Sequence, residues 1–146
     1  MIKKYKMNII ISIPAYNEEK TISNVIADIK NNVSGINYKI LVLDDGSVDH
    51  TVDIAKRCGA IVVSNKVNRG LAETFKREME ECLKLGADVI VHIDADGQYP
   101  AKYIPLLIEK INEGYDLVLG SRFCKGKYSG SFMKRIGNIV FAVRLP

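Results

Sequence analysis

Five short apolar runs separated by helix-spaced segments constrain this chain more than any other feature. "MNIIISI" (7–13), "YKILVLD" (38–44), "AIVVS" (60–64), "DVIVHID" (88–94) and "DLVLGS" (116–121) are rich in Val, Ile and Leu at successive positions, not only at alternate ones. Strands that are apolar on both sides belong to a parallel sheet covered by helices, because each face needs a layer to bury against. Residues 18–33 place Ile22, Val25, Ile26 and Ile29 at helical spacing, with Gly35 as a stop. Residues 49–58 carry Val52 and Ile54 before Gly59, and 104–112 carry Ile104, Leu107, Ile108 and Ile111 before Gly114. Residues 71–85 place Leu71, Phe75, Met79, Cys82 and Leu83 on one stripe before Gly86. The order β-α-β-α-β-α-β-α-β predicts a doubly wound, mostly parallel α/β sheet with right-handed crossovers.

At 146 residues the chain builds one core and is too short for two comfortable domains, so 1–146 reads as a single unit. No apolar stretch approaches the roughly 18–20 residues that span a bilayer. The lysine-led N-terminus runs straight into Pro14, Asn17, Glu18 and Glu19 without a small-residue cleavage site, which excludes a signal peptide. Cys58, Cys82 and Cys124 form no C-x-x-C pair, which argues against a disulfide framework or a structural zinc site and fits a reducing cytoplasm. His50 and His92 stand in no metal-ligand spacing and read as surface or packed histidines.

Charge is uneven along the chain. Residues 1–120 hold 15 Lys+Arg against 17 Asp+Glu, whereas 121–146 hold six basic residues and no acidic one, the source of the net +4. A basic end on a slightly acidic body suits phosphates or an anionic membrane surface, or is a solvated tail. It matches no nucleic-acid-binding module, so nucleic acid is not an expected partner. Beyond Gly120 a Gly/Ser/Lys loop leads to an expected helix from about Phe132, carrying Phe132, Met133, Ile136, Ile139 and Phe141. Its apolar side either packs on the sheet, the favoured reading, or lies on a membrane. Its abrupt stop at Pro146 reads as a cut.

Polar residues gather at the strand ends. In an open parallel sheet, ligands bind beyond the carboxyl ends of the strands, near the switch in strand order. Four of the five runs end there in unusual chemistry: "PAYNEE" (14–19), "DDGS" (44–47), "DADGQ" (94–98) and "GSR" (120–122). The third run ends blandly, as an edge strand can. Alternation puts Asp94 and Asp96 on one side and Ala95 on the other. Two carboxylates so placed are costly without a cation, and Mg²⁺ or Mn²⁺ favours one or two carboxylates plus phosphate oxygens. The alternative is an Asp-rich turn capping the next helix. An EF-hand is excluded, since Tyr99 stands where its glycine belongs and Pro105 where its glutamate belongs.

Of Asp44 and Asp45, one is expected to face inward and the other the rim, where a carboxylate can accept from a ribose or base edge. Ser47 and Asp49 read first as caps of the following helix. Tyr16 offers a ring for base stacking, and Glu18 either joins the site or stabilises a helix start. Neither G-x-G-x-x-G nor a P-loop is present, so phosphate charge must be met by a metal and by Arg122, Lys134 or Arg135. A phosphoacceptor signalling domain is a poor match, because the acidic pairs follow the second and fourth strands and the fifth ends in Arg122 where a lysine is wanted.

Together, "IPAYNEE", "LDDGS", "NRGLAETF", "DADGQYP" and "GSRF", in this order, resemble the family 2 glycosyltransferases with the GT-A fold, in particular the polyprenyl-phosphate sugar synthases of the dolichol-phosphate mannose synthase type. The match runs from residue 7 to about 140. It implies that Pro14, Tyr16, Glu18, Leu43 and Asp45 line a nucleotide pocket. It implies that Asp94 and Asp96 hold Mg²⁺ or Mn²⁺ on the diphosphate, with Ala95 and Gln98 at the donor. Asp96 and Arg122 would be the catalytic pair, and Lys134 or Arg135 a further basic contact.

The implied reaction moves a sugar with inversion from a GDP- or UDP-linked donor to a polyprenyl phosphate. The implied location is peripheral, on the cytoplasmic face of a membrane. Relatives continue past this point, so the acceptor-side portion is expected to be missing, and an uncovered sheet edge would favour a homo-oligomer. The alternatives are a fragment that binds nucleotide-sugar without transferring it, and a family 2 enzyme with a saccharide hydroxyl acceptor.

Overall fold

The computed structural model describes residues 7–120 and 140–145. Six strands form one sheet: β1 (Ile9–Ala15), β2 (Tyr38–Asp44), β3 (Ile61–Ser64), β4 (Val89–His92), β5 (Leu117–Gly120) and β6 (Val140–Arg144). Their order is β3-β2-β1-β4-β6-β5. The first four pair in parallel, whereas β6 runs antiparallel between β4 and β5. The order reverses at β1, with β2 on one side and β4 on the other, so a crevice opens between the ends of β1 and β4. As expected for a run ending in bland chemistry, β3 is an edge strand.

The two faces of the sheet differ in character. On one, Ile9, Ile11, Ile13, Val42, Val89 and Val91 pack against Ile22, Val25, Ile26 and Ile29 of α1 (Ile22–Asn32) and Ile104, Leu107, Ile108 and Ile111 of α4 (Ile104–Asn112). Ala55 of α2 (Thr51–Arg57) joins this core. Each fully buried isoleucine there contributes roughly 1.5–3 kcal/mol of transfer free energy. The other face is thinner. Ile10, Leu41, Cys82, Ala87 and Ile90 form its apolar core beneath α3 (Leu71–Lys84).

Two expectations need correcting. The first concerns α3: its buried row is Thr74, Glu78 and Cys82, while Leu71 and Leu83 are exposed and Phe75 and Met79 flank it. The sheet beneath carries Ser12 and His92, fully or nearly buried, and buried polar groups demand polar neighbours. The second concerns the C-terminal segment. Residues 140–144 form a strand where a helix was expected. Ala142 enters one core and Val143 the other, and a short apolar run buried on both sides has no period that separates strand from helix.

Gly46 turns the chain after β2 with φ of 79°, and a Cβ there would lie 2.7 Å from the Val67 carbonyl carbon and 2.9 Å from the Asn68 nitrogen. Gly46→Ala therefore combines a left-handed backbone with a backbone clash. It should cost at least about 1–3 kcal/mol, measured as a lowered urea midpoint at unchanged slope.

Candidate active site

Beyond the ends of β1, β2 and β4 lies a cavity of about 310 Å³. Pro14, Tyr16 and Glu18 border it from the β1 end, Asp45 from β2, and Asp94, Ala95 and Asp96 from β4. Asn68, Gly70, Leu71 and Thr74, from the start of α3, form the opposite wall. Seven residues singled out in the sequence thus meet in one cleft. Leu43 does not join them: it is fully buried in β2, beside Pro14 in the register. Gln98 is exposed outside the cleft wall, its backbone N–H donating to Asp96 Oδ1 at 2.9 Å. Arg122, Lys134 and Arg135 lie outside the described residues.

The loop after β1 is locked to the loop after β2. Asn17 N–H donates to Ser47 Oγ (2.8 Å), Val48 N–H to Asn17 Oδ1 (2.9 Å), Glu18 N–H to Thr51 Oγ1 (2.7 Å) and Glu19 N–H to Asp49 Oδ2 (3.1 Å). Asn17 adopts φ of 54°, a left-handed conformation that Asn tolerates better than most residues. Ser47 thus ties two loops together rather than capping α2. Asp49 does both, since its Oδ1 accepts from Thr51 N–H at 2.9 Å. This latch holds Tyr16 and Glu18 at the cleft.

Asp44 and Asp45 are both buried. Asp44 Oδ1 accepts from Ser47 N–H at 3.1 Å and closes the turn. Asp45 Oδ1 accepts from Asn65 Nδ2 (2.7 Å) and Arg69 N–H (2.9 Å), and its Oδ2 from Gly70 N–H (3.0 Å). Burial alone would raise its pKa, but these bonds, together with one from Thr74, outweigh it and hold the carboxyl below its usual value. Four donors fill about the four acceptor sites of a carboxylate, so Asp45 shapes the cleft by holding the 68–71 wall. Asn65 in turn accepts from Arg77, which also donates to Ser64 O at 3.1 Å and so ties α3 to β3.

The last ladder residue of β4 is His92, and one further bond, Ile93 N–H to Ser12 O at 3.0 Å, continues the pairing. Asp94 follows on the His92 side of the sheet. Asp96 is already in a turn, so the two carboxylates share the cleft through that turn and not through strand alternation. Behind Asp94 stands a group that the sequence did not disclose. Glu78, fully buried on α3, lies 2.8 Å from His92 Nδ1, and His92 Nε2 lies 3.5 Å from Asp94 Oδ1. Burial works against the imidazolium, but Asp94 and Glu78 outweigh it and raise the His92 pKa to about 9. The spacing of Thr74, Glu78 and Cys82 at i, i+4 and i+8 is the signal that would have marked this row. Cys82 closes it as an uncharged packing group, since burial pushes its thiol up to about 12.

Chemically, the cleft offers the carboxylates of Asp94 and Asp96, with Glu18 and the already satisfied Asp45 beside them, an aromatic face (Tyr16, 46% exposed) and small residues where a ligand can approach the backbone. Among the described residues no group of three or more His, Cys, Asp or Glu side chains is placed to hold a metal. Asp94 and Asp96, both on the cleft, are the donor type that suits a hard divalent ion, which takes one or two carboxylates and completes its shell with water and phosphate oxygens. They do not make a closed all-protein site. No helix among the described residues is long and apolar enough to cross a membrane.

Comparison with known proteins places the chain in a family. The family model described as "Glycosyl transferase family 2" matches residues 10–144. A dolichol-phosphate mannosyltransferase of Pyrococcus furiosus is 36% identical over 124 residues, which cover 82% of this chain and 34% of the relative. A dolichyl-phosphate hexose transferase of Haloferax volcanii is 38% identical over 130 residues, covering 87% of this chain and 53% of the relative. The chain spans between about a third and just over half of the length of these relatives. The crystal structure of glucosyl-3-phosphoglycerate synthase from Mycobacterium tuberculosis, in complex with Mn²⁺, UDP and glucosyl-3-phosphoglycerate, aligns with a TM-score of 0.64 at 32% identity. That alignment covers 77% of this chain and 42% of the synthase.

Asp45 generates a test of the cleft wall. Its folded pKa is depressed, so its contribution to stability is present above the unfolded value and is lost as pH falls through the folded one. Asp45→Asn should cost about 1–3 kcal/mol near neutral pH. It should also flatten the acid limb of stability, measured by urea unfolding between neutrality and about pH 3.

Proposed function

The chain belongs to glycosyl transferase family 2, has the GT-A fold and is related to the polyprenyl-phosphate sugar transferases, and we propose that it transfers a sugar from a nucleotide-sugar to a polyprenyl phosphate. The observation that carries this reading is the meeting of Asp94, Asp96, Asp45 and Tyr16 in one cleft at the switch in strand order. The donor is a UDP- or GDP-linked sugar, and the cofactor a divalent ion, Mg²⁺ or Mn²⁺, held by Asp94 and Asp96. When bound, the ion supplies Lewis-acid stabilisation of the charge that develops on the departing nucleoside diphosphate.

The chain's own residues do the rest. Tyr16 presents its ring to the base. Pro14, Glu18 and Asp45 shape the nucleotide pocket, with Leu43 packed in the strand behind it. Ala95 is small enough to let the donor approach the backbone, and Gln98, outside the cleft wall, would reach the donor only from beyond its rim. Arg122, two residues beyond the end of β5 in sequence, contacts phosphate oxygens, with Lys134 or Arg135 as a further cation. An acceptor phosphate is already anionic near neutral pH, so it needs orientation by cations more than it needs a general base. It attacks the anomeric carbon opposite the leaving diphosphate and inverts it. A polyprenyl acceptor places the reaction at a membrane surface, peripheral on the cytoplasmic side.

In a second reading the chain binds nucleotide-sugar but does not transfer the sugar. Calorimetric titration of UDP and of GDP, each with Mn²⁺ or with chelator, tests the shared premise. One nucleotide should bind with Mn²⁺, and binding should be lost with chelator and in Asp96→Asn. Metal-independent binding, or binding unchanged in the variant, overturns the metal assignment. Transfer from the matching labelled donor to a polyprenyl phosphate supports the first reading, and binding without product supports the second.

A further inference from the structure

Glu78 and His92 lie behind the cleft and have no part in the chemistry proposed for it. Glu78 is completely buried, and its Oε1 lies 2.8 Å from His92 Nδ1. Burying a carboxylate this deep is costly unless a partner offsets the lost hydration, and His92 is that partner. The ring it meets is fixed on both sides. Phe141 of β6 stacks on it at 5.0 Å between centroids and 10° between planes, and Phe75 of α3 meets it edge-on at 5.6 Å. With its plane set by two rings and its Nδ1 set by Glu78, the imidazole can turn Nε2 in one direction only. That direction is Asp94, whose Oδ1 is 3.5 Å away.

We propose that Glu78 and His92 are positioning residues that orient the Asp94 carboxylate for the divalent ion. The proposal rests on the metal reading given above. His92 engages Asp94 Oδ1 and leaves the other oxygen to the cleft. A carboxylate free to rotate would have to be ordered by the ion on binding, and a carboxylate already held does not. The antiparallel strand β6 enters the site by this route, since it delivers Phe141 opposite His92 in the register.

The test separates orientation from stability. In Glu78→Met/His92→Phe the buried pair is replaced by apolar groups of similar size, a change that is often neutral or stabilising when both partners leave together. Mn²⁺ binding is read from the electron paramagnetic resonance of the free ion, with UDP and separately with GDP present, and thermal unfolding is recorded alongside. The expected result is a Tm at or above that of the wild type with Mn²⁺ bound about 10- to 100-fold more weakly, the usual cost of losing an outer-shell partner. In an Asp94→Asn background the same double change should weaken the remaining Mn²⁺ binding no further. Glu78→Gln keeps the wild-type shape and carries the same expectation at smaller amplitude. Unchanged Mn²⁺ affinity in both variants, with Asp94→Asn still impaired, overturns the positioning role alone. Equal Mn²⁺ binding by the wild type and Asp94→Asn overturns the metal reading, and this proposal with it.

Discussion

A buried carboxylate has to be satisfied, and the cleft is built around the way Asp45 achieves this. It sits one residue beyond β2, almost excluded from solvent, where an unpaired charge would be untenable. Its partners come from along the β3–α3 connection and the start of α3: the amides of Arg69 and Gly70, and the side chains of Asn65 and Thr74. Those bonds draw the start of α3 against the end of β2, which gives the cavity its second wall. They also place a negative charge at the helix N-terminus, where the backbone dipole favours it. Gly46 has no side chain because the returning backbone at Val67 and Asn68 occupies that space.

The opposite wall depends on a different device. The β1 loop, with Tyr16 and Asn17 exposed, is fixed by hydrogen bonds to the β2–α2 loop, in which each side supplies both donors and acceptors. Tyr16 and Glu18 owe their position to this latch. The third side of the cleft follows β4, where His92 and Glu78 carry the polar interior of the sheet up to Asp94. The thin face under α3 is therefore part of the site's construction, while the thick face under α1 and α4 supplies most of the apolar burial.

Much of this was legible beforehand, and the misses have physical causes. The runs at 38–44 and 104–112 coincide with β2 and α4, because β-branched continuity and helical spacing with a glycine stop are both local signals. Asp94, Asp96, Tyr16 and Asp45 were identifiable because polar residues at the ends of buried strands conflict with their surroundings. The α3 face was misassigned because Leu71, Phe75, Met79 and Leu83 make the more apolar row. Only the presence of Ser12 and His92 on the sheet below makes Thr74, Glu78 and Cys82 the row that turns inward. The segment at 140–144 was assigned to a helix because five residues are too few to show a period.

By itself the sequence determined the alternation of strands and helices, the rim on which the polar chemistry would collect, and the residue types available there, since each follows from short-range spacing along the chain. Tertiary structure alone decided three other things: that Asp45 is consumed in holding a wall, that β6 inserts between β4 and β5, and that Glu78 reaches Asp94 through His92. The reason is distance along the chain. Asp45 and Gly70 are 25 residues apart and Glu78 and His92 are 14 apart, and these partners meet only because the sheet order brings their elements together.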